Sequence, residues 1–219
     1  MSTDQRRLVA ETILSGKSIL VCGSGVSTPA YPGVGALSDK FLELGAKGNN
    51  LMELADSYIS DRGRESLTRM LRSIYGVWSS SRAHDLITMI PWRSIITTNY
   101  DAGLLAAYTA TSRKNIPTIA TEDEFKAWSD RAEFAVLHPH GAVLRPQDTY
   151  IISTRDYEEK LTSKNTFIDY VQEVVNKNHV FFLGFGLAEE YLIKSMYYYR
   201  DKNSPRGYFV AQSDYGMGR

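Results

Sequence analysis

Ser18-Ile19-Leu20-Val21-Cys22-Gly23-Ser24-Gly25-Val26-Ser27 is the stretch that decides the fold class. A short apolar run that ends in glycine is the usual form of a buried parallel strand running into a loop. Residues 4–14 before it have the pattern of a short helix, so the chain opens helix then strand. The same alternation continues downstream. Residues 93–97, 116–119, 134–137, 150–153, 179–183 and 207–211 are further candidate strands. Between them, 102–110, 156–161, 166–176 and 187–200 carry helical patterns, and 36–90 places Leu37, Phe41, Leu54, Leu67 and Leu71 at mostly three-or-four spacing. Strands alternating with helices predict an α/β fold. The expected architecture is a Rossmann-like, mostly parallel sheet covered by helices on both faces, one domain over 1–219 with a helical insertion at about 36–90. In such sheets ligands bind beyond the carboxyl ends of the strands.

Composition narrows the function. The 219 residues are 43% hydrophobic and 23% charged, in the globular range, and 25 Lys and Arg balance 25 Asp and Glu. A net charge near zero lacks the footprint of a general nucleic-acid binder. The longest nearly unbroken apolar stretch, 180–188, is about half of the roughly 18 residues a membrane span requires. Residues 1–16 interleave Asp4, Arg6, Arg7 and Glu11 with apolar positions, unlike a secretory signal, and a cytoplasmic protein is expected. Cys22 is the single cysteine, which excludes an internal disulfide and any zinc site built on two or four cysteines.

The unusual residues all follow candidate strands. In Gly23-Ser24-Gly25-Val26-Ser27, two glycines allow close backbone approach, and the amides of such a turn can hold a phosphate; the same turn also serves plain loop closure. Thr28 breaks the G-x-G-x-x-G pattern of dinucleotide folds. Asn99 and Asp101 stand two apart after residues 93–97. They are suited to orienting a water or ribose hydroxyl and accepting from an amide, or to capping the next helix. His138-Pro139-His140-Gly141 offers groups that exchange protons near neutral pH, or structural histidines. Two histidines that alternate in an extended segment do not share a metal. Gly184-Phe185-Gly186 again permits close approach or simple packing.

Taken in order, these motifs resemble the sirtuin-like superfamily. Gly23-Ser24-Gly25-Val26-Ser27 is similar to its G-[AS]-G-x-S loop, Thr98-Asn99-Tyr100-Asp101 to its T-x-N-x-D segment, and His140-Gly141 to its His-Gly pair. Gly184-Phe185-Gly186 is similar to its adenosine-side glycine loop, so the resemblance runs over about 16–211. The segment Tyr100-Asp101-Ala102-Gly103-Leu104-Leu105 most resembles the bacterial sirtuin-like branch of antiphage defence, whose domains hydrolyse NAD and commonly belong to longer or partnered systems.

The resemblance implies a catalytic pair, with His140 as general base and Asn99 positioning a water or ribose hydroxyl. It implies NAD contacts from Gly23, Ser24, Gly25 and Ser27 around the pyrophosphate and nearby ribose, from Asp101 to the nicotinamide amide, and from Gly184, Phe185 and Gly186 on the adenosine side. Glu189 and Glu190 stand where the family often has Asp. NAD is expected as substrate, without a metal, in a homo-oligomer or an assembly gated by a partner protein or phage-derived activator. The helical stretch 36–90 would then be a lid or an oligomer surface. Deacylase sirtuins carry a four-cysteine zinc module, which one cysteine cannot supply. Protein deacylation and non-catalytic sensing of NAD or ADP-ribose are the alternatives.

Overall fold

The computed structural model describes residues 2–112, 116–129, 133–143, 150–162, 165–184 and 208–211. Six parallel strands form one sheet: β1 Ser18–Cys22, β2 Ser94–Thr97, β3 Thr118–Ile119, β4 Val136–Leu137, β5 His179–Leu183 and β6 Tyr208–Ala211, in the order β3-β4-β2-β1-β5-β6. Central β1 pairs on both edges, with Leu20 beside Ile95 of β2 and Phe181 of β5. All five residues of β1 are buried, which accounts for its continuous apolar run.

Alternate residues of β1 enter opposite cores. Ile19 and Val21 pack with Phe125 and Trp128 of α7 (Glu122–Ser129) and with Phe167, Val171 and Val175 of α9 (Thr166–Lys177). Leu20 and Cys22 meet Ile87 of α5 (Arg82–Thr88) and Leu104 and Tyr108 of α6 (Gly103–Ser112), with Val9 and Ile13 of α1 (Thr3–Leu14) at the edge. Helices therefore cover both faces, as the alternation predicts. Among the described residues no helix is long and apolar enough to cross a membrane.

The stretch 36–90 is helical. It comprises α2 Val34–Glu43, α3 Leu51–Arg62, α4 Arg64–Tyr75 and α5. The first three build a core of their own from Leu37, Phe41, Leu54, Leu67 and Leu71, closed by Val143, Tyr150 and Ile152 from the chain after β4. Residues 150–153 are not the expected strand. Their polar backbone groups are taken elsewhere: Ile151 N–H donates to the His140 carbonyl, and Ile152 and Ser153 N–H donate to Asp156 Oδ2 at 3.1 and 2.9 Å. The Tyr150 carbonyl accepts from Arg64. The apolar run comes from burial, with Tyr150 and Ile152 packed under the helical insertion, and no ladder is formed. Asp156 lies in α8 (Thr154–Thr162), whose first turn Ser153 caps. The expected helix at 187–200 lies outside the described residues.

Candidate functional site

Three strand ends converge. The β1–β2 pairing extends one residue past the sheet, where Thr98 N–H donates to the Cys22 carbonyl at 3.2 Å. This delivers Asn99 beside the loop that leaves β1. Its carboxamide nitrogen donates to the Gly23 carbonyl at 3.0 Å and to Ser27 Oγ at 2.9 Å. Ser27 Oγ in turn donates to Asp101 Oδ2 at 2.7 Å and meets His84 Nε2 at 3.3 Å. Asp101 Oδ1 accepts from Gly103 N–H at 2.8 Å, so Asp101 caps α6 and holds Ser27 at once. The sequence offered capping or ligand contact for this carboxylate; the structure shows the cap, and the same residue lines the cleft described below.

The loop from β1 begins with a 3-10 turn over Ser24–Val26. Its glycines serve packing between chain segments. Gly23 N–H donates to the Leu183 carbonyl at 3.0 Å and Gly25 N–H to the Gly184 carbonyl at 2.9 Å. A Cβ on Gly25 would lie 2.8 Å from Gly184 Cα, and one on Gly184 would collide with the Val26 amide. Gly184 also has φ +62°, which favours glycine. The Gly23 and Gly25 amides are thus engaged by the chain after β5, and the loop lines the cleft through Ser24 and Ser27. Phe185, Gly186, Glu189 and Glu190 lie outside the described residues.

His138 and His140 separate, although the segment is a turn closed by Gly141 N–H to the His138 carbonyl at 3.0 Å rather than the extended run expected. His138 Nδ1 sits 3.0 Å from the Asn99 main-chain carbonyl, and His138 is absent from the cleft wall. His140 lines the cleft, 3% exposed, with the Tyr157 ring of α8 edge-on at 5.5 Å between centroids. Gly141, at φ +89°, turns the chain after it. Burial first, and the Lys160 ammonium second, push the His140 imidazole down to about 3. The ring is therefore neutral, the form that can accept a proton.

This depression has a stability consequence with a definite sign. The unfolded imidazole binds its proton below about pH 6.5, while the folded one stays neutral to far lower pH. The contribution is full above the unfolded value and is lost as pH falls toward the folded one. Urea unfolding is expected to show about 2 kcal/mol less of this contribution at pH 5 than at pH 7. The same comparison in His140→Gln should lack that component; an identical pH slope in the two proteins would refute it.

A cleft open to solvent lies beyond the carboxyl ends of β1, β2 and β4. Its lining combines polar Ser24, Ser27, Asn99, Asp101 and His140 with Leu37 of α2, Leu51 of α3, Tyr75 of α4, Tyr100 and Tyr157. Asn99 and His140 thus line one cleft although they stand 41 positions apart. Among the described residues no group of three His, Cys, Asp or Glu could hold a metal ion.

Three residues of this site escape a reading of the sequence. His84 is one, Tyr75 and Tyr157 the others. Tyr75 and Tyr157 sit on helices at positions indistinguishable from core aromatics. His84 leaves a faint signal: Ser81-Arg82-Ala83-His84 has the S-x-x-E/Q spacing of a capping box, with His in the fourth place.

Comparison with known proteins agrees with this geometry. A search of curated proteins found no match. The family model described as a SIR2-like domain matches residues 93–215, more than half of the chain, which include Asn99, Asp101, His140 and Gly184. The Gly23 loop and His84 precede the matched segment and join the site through hydrogen bonds to Asn99 and Ser27. With six parallel strands, a cleft at their carboxyl ends and this match, the chain belongs to the SIR2-like domain family.

Proposed function

We propose that this SIR2-like domain is an NAD glycohydrolase that converts NAD and water to ADP-ribose, nicotinamide and a proton. SIR2-like domains bind NAD. The observation that carries the reading is the shared cleft of Asn99 and His140, with the Asn99 carboxamide held by Gly23 and Ser27. The aromatic side chains lining the cleft suit flat rings, and its hydroxyl, amide and carboxylate groups suit ribose hydroxyls and a carboxamide.

NAD supplies the N-glycosidic bond to be broken, whose electron pair leaves on the nicotinamide nitrogen. Asn99 would hold the attacking water by its carboxamide oxygen, since its nitrogen is engaged by Gly23 and Ser27. His140 would take the proton as the water oxygen bonds to the anomeric carbon, then release it to solvent. Asp101 is assigned to the nicotinamide amide and Ser24 to the ribose and pyrophosphate, while Ser27, whose hydroxyl is held by Asn99, His84 and Asp101, joins Gly23 and Gly25 in shaping the loop beside them. Gly184, Phe185 and Gly186 are assigned to the adenosine side. Positive charge develops on the sugar in the transition state, so fixed dipoles aimed there lower the barrier.

A zinc module of four cysteines cannot be formed from the one cysteine of this sequence, which favours hydrolysis over deacylation of a peptide. By its resemblance at 100–105, we further assign the domain to antiphage defence by depletion of cytoplasmic NAD. The assigned assembly is a homo-oligomer or a complex gated by a partner protein or a phage-derived activator.

The test is nicotinamide release from NAD by the purified assembly with candidate activators and no acylated peptide. Stoichiometric ADP-ribose is the expected co-product. Release only with an acylated peptide would replace hydrolysis by deacylation, and NAD binding without any release would make the domain a sensor.

A further inference from the structure

The hydrogen bonds around Ser27 admit a single arrangement of protons. The Gly23 carbonyl can only accept, so the Asn99 atom facing it at 3.0 Å is the amide nitrogen. That nitrogen also donates to Ser27 Oγ, and Ser27 gives its one proton to the Asp101 carboxylate. The remaining approach to Ser27 Oγ, from His84 Nε2, must therefore come from an N–H. At the other end of the ring, His84 Nδ1 accepts from Ser81 N–H at 3.1 Å, which requires that nitrogen to be bare. Both ends thus demand the same species, a neutral imidazole protonated on Nε2.

The ring is held in place on every side. His84 is 1% exposed, and Ser81 Oγ accepts from His84 N–H at 3.2 Å while donating to the Val26 carbonyl. A Cβ on Gly103 would fall within the imidazole, so the start of α6 is shaped to admit it. Burial, opposed by the charges of Asp101 and Asp85, keeps His84 below the ordinary histidine range. This side chain is absent from the cleft wall and acts at one remove from it.

We infer that His84 is a positioning residue: its Nε2–H completes the hydrogen bonding of Ser27 and thereby fixes the Asn99 carboxamide with its oxygen left to the cleft. The inference rests on the catalytic reading of Asn99 given above. Without the His84 donor, one lone pair of Ser27 Oγ goes unmet and the hydroxyl is no longer braced from that side, so the carboxamide that donates to it loses its fixed orientation. Misplacement of a reacting group by about 1 Å costs on the order of 10²-fold in rate.

Two substitutions separate this role from mere packing. In His84→Gln the side-chain oxygen can accept from Ser81 N–H, as in an ordinary capping box, while the nitrogen donates to Ser27. In His84→Leu the volume is kept and both hydrogen bonds are lost. With the active assembly and NAD, His84→Leu is expected to lower kcat about 10²-fold with KM little changed, and His84→Gln to stay near the wild-type rate. A folded His84→Leu protein with wild-type kcat, or a Gln variant as slow as the Leu variant, overturns the inference.

Two further readouts need no turnover. In the ligand-free wild-type protein, imidazole ¹⁵N shifts should report a protonated Nε2 and a bare Nδ1 for His84 at pH 7.5; the opposite tautomer or a charged ring overturns the inference. The Asn99 side-chain amide resonances should move in His84→Leu and stay in His84→Gln, and resonances unmoved in both overturn it. Absence of nicotinamide release from the wild type would defeat the NAD glycohydrolase reading, while these resonances would still decide the role of His84.

Discussion

Replacing His140 with alanine is expected to lower nicotinamide release from NAD by about 10²- to 10⁴-fold, the range for loss of a positioned general base. The backbone around it should survive, because the links of this turn are main-chain: Gly141 N–H to the His138 carbonyl at 3.0 Å and Ile151 N–H to the His140 carbonyl at 3.1 Å. The side chain contributes the edge-on contact with Tyr157 and the proton-accepting nitrogen. Asn99→Ala should lose a similar factor, and since the two groups act on one water the double variant should be little worse than either single one. His138→Ala is the informative comparison. It removes a hydrogen bond of about 1 kcal/mol to the Asn99 carbonyl, and should reduce stability more than turnover. Equal loss of rate in His138→Ala and His140→Ala, with circular dichroism unchanged, would remove His140 from the chemistry.

Arg64→Ala should destabilise the fold by about 3 kcal/mol, the low end for breaking a buried ion pair, because the guanidinium itself is about one-third exposed. Its partner Asp156 is 3% exposed at the side chain and is held by both guanidinium nitrogens, with Nη1 to Oδ2 at 3.0 Å and Nη2 to Oδ1. Burial alone would raise this carboxyl. Arg64 and the amides of Ser153 and Ile152 outweigh it and hold Asp156 below the ordinary carboxylate range. A depressed carboxyl stabilises the fold above its unfolded value of about 3.9, and that contribution is lost as pH falls through the lower folded value. Urea midpoints for wild type and Arg64→Ala should therefore differ most near neutral pH and converge in strong acid. Asp156→Asn, which can still accept from the two amides, should cost less at neutral pH. A deficit for Arg64→Ala that is constant from pH 7 to pH 3 would exclude the ion pair as its source.

The same pair ties the helical insertion to the site. Arg64 opens α4, while Asp156 sits one position before Tyr157, the aromatic neighbour of His140. Arg64→Ala is thus a lesion whose effect on stability reaches the cleft through α8.

Much of this architecture was legible because its signals are local. β1 and β5 are read with their observed bounds, since a short apolar run followed by glycine marks a central parallel strand; all five residues of β1 and the middle three of β5 are buried. The helical stretch at 36–90 follows from spacing alone. Residues 150–153 mislead for a physical reason: Tyr150 and Ile152 are buried by α2–α4, so a loop carries the short apolar run of a buried strand. His84 was not legible as part of the site, because its partners Ser27 and Asp101 are 57 and 17 positions away and nothing in the sequence pairs them.

The sequence by itself determined the α/β class, the strand ends at which polar residues gather, and the resemblance that names Asn99 and His140. Those properties depend on hydrophobic period and on short motifs, which neighbours along the chain carry. The tertiary structure alone decided that the Gly23 and Gly25 amides face the chain after β5, that Asp101 both caps α6 and holds Ser27, and that His84 stands behind Asn99. Hydrogen-bond partners are set by where separate strand ends meet in space, and the order of residues leaves that meeting open until the sheet is assembled.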